Sequence, residues 1–145
     1  MKFRLLSAAL AAMVMFAGLP AAQAEDKDVI DYRQNLMKSL GANASALGAI
    51  LQNKVAYGDN LAHHADAIAA AAAAAQLAFK DEVVGGTAKA DVWSNWEDFS
   101  ARFAQLEAAA LEVSAAAKDG GMAAAGPKVG AMFICKSCHD TYRTE

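Results

Sequence analysis

Hydrophobic positions recur at helical spacing along almost the whole chain. The clearest run is Trp96, Phe99, Phe103, Leu106, Ala110, Val113 and Ala117, in alternating steps of three and four. That spacing keeps one apolar stripe on an amphipathic helix. Asp91 supplies an N-cap for this helix, and Asp119-Gly120-Gly121 ends it. Trp93 precedes the stripe and is placed to fold back over a ligand. An earlier helix is predicted from about Lys27 to about Gln52. There Val29, Leu36, Leu40, Leu47 and Leu51 fall in steps of seven and four, and Ile30, Met37 and Ala44 widen the stripe. Gly41 and Gly48 weaken that helix slightly and allow a neighbour to approach closely.

Two further helices follow from the remaining pattern. After a turn over Asn53 to Asn60, a helix is expected from Leu61 to Phe79. Its centre, Ala69 to Ala75, is low-complexity. It reads as a good helix former with a thin side-chain layer. The alternative is a close-packing face for another helix or a second subunit. Lys80 to Ala90 is expected to be a loop, marked by Gly85-Gly86. The last helix is predicted from Met122 to Tyr142, with Pro127 in its first turns, where a missing N–H costs least. Val129, Met132 and Phe133 lead its apolar side into Cys135. Short connections imply antiparallel neighbours, so the expected class is all-α, an up-down-up-down four-helix bundle.

Composition agrees with that class. Alanine is over-represented, there are only 2 prolines, and alternating β-branched runs are missing. The length fits one domain. The N-terminus differs in kind. Lys2 and Arg4 precede an uncharged apolar run from Leu5 to Ala17, and Ala22-Gln23-Ala24 offers a small-x-small cleavage site. Residues 1–24 therefore read as a signal peptide and residues 25–145 as the mature domain, beginning at Glu25 and exported to the periplasm. The apolar run is short for a membrane anchor and Pro20 closes it. Removing Lys2 and Arg4 takes the formal charge from −3 to −5. A mildly acidic protein with scattered basic residues argues against a nucleic-acid partner, and no later segment is apolar enough to span a membrane.

The chemistry is concentrated near the C-terminus, at Cys135-Lys136-Ser137-Cys138-His139. This is C-x-x-C-H, the attachment sequence of a c-type haem. Two thiols at i and i+3 share one side of a helical turn, so both can add to the vinyl groups of one porphyrin. The adjacent His139 offers its imidazole to the iron. Other readings of the pair are weaker. A disulfide over so small a loop contributes little chain entropy. Thioredoxin-type chemistry needs a strand and a βαβ context. Zinc needs two more ligands, and His63 and His64 are the only other histidines.

A C-x-x-C-H at the end of an exported four-helix chain resembles the class II cytochromes c, the cytochrome c′ family. The resemblance spans the mature chain and is most specific over Cys135 to Arg143 and over Tyr32-Arg33-Gln34-Asn35-Leu36-Met37-Lys38. Val92-Trp93-Ser94 also resembles the family's entry into its third helix. The resemblance implies one covalent haem c on Cys135 and Cys138, with His139 as proximal iron ligand. It implies Arg33 and Gln34 beside the propionates, Met37 on the distal side of the iron and Arg143 near its proximal face. Arg33 and Met37 are i and i+4, so they share a helix face.

Function then turns on Met37. The run Leu36 to Gly41 looks more like the low-spin branch of the family, in which a methionine thioether completes the iron coordination. On that expectation the protein is a periplasmic electron carrier, not an enzyme, meeting redox partner proteins. The alternative is a five-coordinate cytochrome c′ that binds NO or CO at an open distal site. His63 and His64 are expected to be solvated, and Met122 and Met132 to be core. Lys54, Lys128 and Lys136 are candidates for redox docking. A homodimer on the first two helices is compatible with the alanine run.

Overall fold

The computed structural model describes residues 25–145; the expected signal peptide lies outside the described residues. Five α-helices follow one another: α1 (Asp26–Leu51), α2 (Leu61–Ala78), α3 (Asp91–Ser94), α4 (Trp96–Ala125) and α5 (Cys135–Tyr142). A 3-10 helix, Gly126–Met132, joins α4 to α5. α1, α2, α4 and the C-terminal segment form the four-helix bundle expected from the periodicity. Among the described residues the β pairing is an isolated bridge between Ala88 and Arg143. No helix among them is long and apolar enough to cross a membrane.

α2 is the packing centre. It lies against both α1 and α4. Ala65, Ala72 and Ala75 are fully buried, with Ala69 close behind. The alanine run is thus a close-packing face within the chain rather than only a thin helix surface. α1 closes on it through Leu47 and Ile50, and α4 presents Phe99, Phe103, Leu106, Ala110 and Val113 to the core. Between α1 and α4 themselves there are few close approaches. α2 holds them apart, and a cavity fills the gap.

Three expectations need correction. The helix predicted from Asp91 is interrupted: α3 stops at Ser94, and Asn95 (φ −125°, ψ 46°) turns the chain before α4 begins. The last helix is not continuous from Met122. α4 breaks at Gly120 and Gly121, where Gly121 has φ +62°, and Gly126, Pro127 and Gly130 fall in one short stretch. Glycine entropy and a missing N–H disfavour an α-helix there. The tighter 3-10 form survives, with Val129 and Met132 three residues apart on one buried side, as its threefold period requires. Phe133 then leaves the helical path and is 68% exposed rather than part of the core. Met122, beside the glycine break, is also surface rather than core, while Met132 is buried as expected.

The helical glycines differ from expectation too. A Cβ at Gly41 would meet nothing within 4 Å, and one at Gly48 only the Gln52 side chain. Neither marks a tight helix contact. Close approach occurs instead in the α2–α3 loop. Gly85 (φ +154°) and Gly86 (φ +62°) press against Ile30 and Gln34 of α1.

Candidate functional site

The cavity between α1, α4 and α5 has a volume of about 1100 Å³ counting its open mouth. Its lining is mostly apolar, as suits a large flat hydrophobic group. α1 supplies Ile30, Gln34, Met37, Gly41 and Ala44 to its wall, alternate steps of four and three on one helix face. α4 supplies Phe99, Arg102, Phe103 and Leu106. α5 supplies Cys135, Cys138, His139 and Tyr142, which are i, i+3, i+4 and i+7 and so share one side of a short helix. The sequence-predicted residues Cys135, Cys138, His139, Arg33, Gln34 and Met37 therefore come together around one cavity.

The donor set suits a covalently held haem. Both thiols are unpaired, Cys135 exposed and Cys138 half-buried, and they face the same space as His139. Burial pushes the Cys138 thiol up, with the Arg102 guanidinium opposing. Partial burial, helped by the Arg143 guanidinium, holds the His139 imidazole below its ordinary value. That favours the neutral form, the one that ligates metal. Among the described residues no cluster of three His, Cys, Asp or Glu side chains forms, so the zinc reading has no supporting ligands. His63 is exposed, and His64 Nδ1 lies 3.0 Å from Asn43 Oδ1; neither lines the cavity.

Met37 is half-buried, packs against the core and lines the cavity from α1. It is the one thioether in the lining. Gln34 also lines the cavity, beside the Gly85-Gly86 turn.

Arg33 is more deeply engaged than a propionate partner need be. It is 3% exposed. Nε donates to the Ala78 carbonyl at 2.8 Å, Nη1 to Val83 at 2.6 Å and Nη2 to Asp81 at 2.7 Å. The guanidinium lies over the Phe79 ring at 4.7 Å and the Trp93 ring at 5.5 Å. It thus caps the last carbonyl of α2, that of Ala78, and ties the following loop to α1. Trp93, expected over a ligand, is committed to the same junction. Its indole N–H donates to the Phe79 carbonyl at 2.9 Å, and it is not among the cavity-lining residues.

The loop tied down by Arg33 continues as a strap onto α5. Lys89 N donates to the Tyr142 carbonyl at 3.0 Å, and Thr144 N to the Thr87 carbonyl at 2.8 Å. The Lys89 ammonium donates to the carbonyls of Asp140 and Thr141 at 3.3 and 3.2 Å, a cation at a helix C-terminus where the dipole favours it.

A second cluster beside α5 escaped sequence reasoning. The buried Tyr142 hydroxyl donates to Asp98 Oδ2 at 2.5 Å and accepts from Asn95 Nδ2 at 2.9 Å. Arg102 Nε donates to the same Asp98 oxygen at 2.7 Å, and its guanidinium lies 5.4 Å from the Tyr142 ring centre. Burial first, and then the Asp98 carboxylate, push the Tyr142 phenol up to about 12. Hydrogen bonds from the Tyr142 hydroxyl and then the Arg102 guanidinium hold Asp98 below the usual carboxylate range. The one sequence signal that could have pointed to it is the i, i+4 spacing of Asp98 and Arg102.

Comparison with known proteins matches this geometry. The cytochrome C′ family model covers residues 28–143. The cytochrome c′ of Rhodospirillum rubrum is 32% identical over 100% of both chains. A cytochrome c-556 of Agrobacterium tumefaciens is 32% identical over 79% of this chain and 95% of its own. Among solved structures, the nitric oxide complex of a mutant cytochrome c prime from Alcaligenes xylosoxidans superposes with a TM-score of 0.76. It is 22% identical and covers 85% of this chain and 99% of that one. The chain belongs to the cytochrome c′ family, whose members carry a covalent haem c.

Proposed function

We propose that this member of the cytochrome c′ family is an exported haem protein that binds nitric oxide or carbon monoxide, and is not an enzyme. In this reading Cys135 and Cys138 hold the haem by thioether bonds and His139 gives its imidazole to the iron. The haem, when bound, supplies ligand-binding and redox chemistry. The observation that carries the reading is the apolar wall facing the haem space. Met37, Leu40, Ala44, Phe103 and Leu106 line it, and no carboxylate or second histidine does. Such a wall excludes water and ions while admitting an uncharged diatomic. It also offers no acid–base group for turnover, which is why no enzymatic role is proposed. The likeness in fold to a nitric oxide complex adds support.

The low-spin electron carrier that the run around Met37 suggested becomes the second reading. One observation favours it: Met37 lines the same cavity as His139. A flexible methionine also fills space well without ligating. The absorption spectrum separates the two. High-spin bands that shift on adding CO or NO are expected. A low-spin spectrum with a thioether-to-ferric-iron charge-transfer band, unmoved by either gas and lost in Met37→Ala, overturns the gas-binding reading.

Export to the periplasm is part of the proposal, and N-terminal sequencing of the purified protein should begin at Glu25. Redox proteins remain partners under either reading, since a haem iron must be reduced to hold CO. A homodimer on α1 and α2 is still compatible with the alanine run, in which Ala70 is exposed and Ala73 and Ala74 are only half-buried.

A further inference from the structure

We propose that Tyr142, Asp98 and Arg102 form a positioning cluster that fixes the roll of α5 and so the direction of the His139 imidazole. The inference rests on His139 being the iron ligand, and not on what occupies the other side of the iron. α5 has 8 residues, only about two turns. A helix that short has little packing surface of its own, so one fixed side chain can set its rotation. Tyr142 is that side chain. It follows His139 by three residues, on the same side of the helix, and it is 3% exposed. Its backbone carbonyl is held by Lys89 of the strap.

The ring alone would satisfy packing. It meets Phe99 edge to face at 5.0 Å between centroids. The hydroxyl adds a direction. A short bond to a carboxylate tolerates little rotation, and Asp98 is itself held by Arg102, one turn further along α4. Asn95, at the break between α3 and α4, donates to the hydroxyl's remaining lone pair. The break that the hydrophobic pattern did not foresee therefore places an amide where the cluster needs it. Arg102 and Tyr142 both line the cavity, so the cluster sits directly behind the ligand-bearing helix. Groups that orient a metal-bound histidine commonly change affinity or activity when removed.

Tyr142→Phe in the haem-loaded protein is the cleanest test, because it keeps the ring and every charge. The iron–histidine stretching band of the ferrous form should fall in frequency, the midpoint potential should rise, and CO affinity should change by about tenfold. Asp98→Asn should move the band the same way. Combining the two should add little, since both act through one bond. Asp66→Asn is the control. It breaks the Lys118–Asp66 pair between α4 and α2, at 2.9 Å, away from the cavity, and should lower the melting temperature without moving band or potential. If Tyr142→Phe behaves like that control, the cluster is structural only and the proposal fails. Should Asp98→Asn fail to fold, Tyr142→Phe still decides. A wild-type protein that takes up no CO would sink the gas-binding reading alone, because the potential still reports on His139.

Discussion

The two seams flanking α2 and the gap that faces them are built on opposite terms. On the α2 side, fully buried alanines let α1 and α4 close onto one central helix. On the other side, α1 and α4 stay apart and larger side chains line a cavity. Small side chains bring helices together until the backbones limit approach. Large ones, with nothing between them, leave room for a group that the chain itself does not contain. The same two helices carry both arrangements. α1 turns Leu47 and Ile50 to α2 and Ile30, Met37 and Ala44 to the cavity. The lesson is that a bundle can be close-packed on one side because it is held open on the other, with the strap at residues 80–90 fixing how far.

Breaking the open side should have the largest effect. Cys135→Ser combined with Cys138→Ser should abolish haem that survives denaturation and extraction, and should lower stability because the cavity loses its occupant. Haem retained through denaturation would defeat the attachment reading outright. Next is the strap. Arg33→Met removes the side-chain donor from the Ala78 and Val83 carbonyls, while Asp81 keeps the Trp93 indole, and should cost about 3 kcal/mol in urea unfolding of the loaded protein. A cost within experimental error would mean that the loop is held elsewhere.

The closed side offers the counterpart. Ala72 is fully buried on α2, and Ala72→Leu should overpack that seam by about 1–3 kcal/mol. The folded fraction should keep its wild-type absorption spectrum. A shifted spectrum would show that the seam and the cavity are mechanically coupled, which would sharpen the comparison rather than leave it as two independent regions.

The smallest effect concerns pH. The Tyr142 phenol is pushed up to about 12 in the folded state, above the roughly 10 of an unfolded tyrosine. The neutral form is the one the fold favours, so this contribution is whole below pH 10. It is lost as pH rises from about 10 toward 12, where the unfolded chain releases its proton first. Tyr142→Phe should remove that part of the alkaline fall in stability. Identical alkaline unfolding of the two proteins would mean that the phenol is not as shielded as its partners imply.

Much of this was legible in the chain. α1 and α2 begin and end within a residue of the positions that periodicity and turn residues gave. The stripe from Phe99 to Val113 is buried as its spacing required. The motif at Cys135, Cys138 and His139 lies against a largely apolar cavity. The rest was not legible, because it depends on pairs far apart in sequence. Arg33 meets carbonyls 45 to 50 residues away, and Tyr142 meets Asp98 across 44. Neither distance leaves a periodic trace. The broken last helix lay between. Gly126, Pro127 and Gly130 signalled weakness, but not that Phe133 would turn outward.

By itself, then, the sequence determined what is local: which stretches are helical, because side-chain spacing matches 3.6 residues per turn, and which residues are the candidates to attach haem, because thioether and imidazole chemistry needs them adjacent. Only the tertiary structure decided what those residues face. It set α1 and α4 apart around α2, committed Arg33 to the strap, and anchored the His139 helix through Tyr142. Those outcomes follow from how whole helices share buried surface and satisfy buried polar groups, and no single segment carries that information.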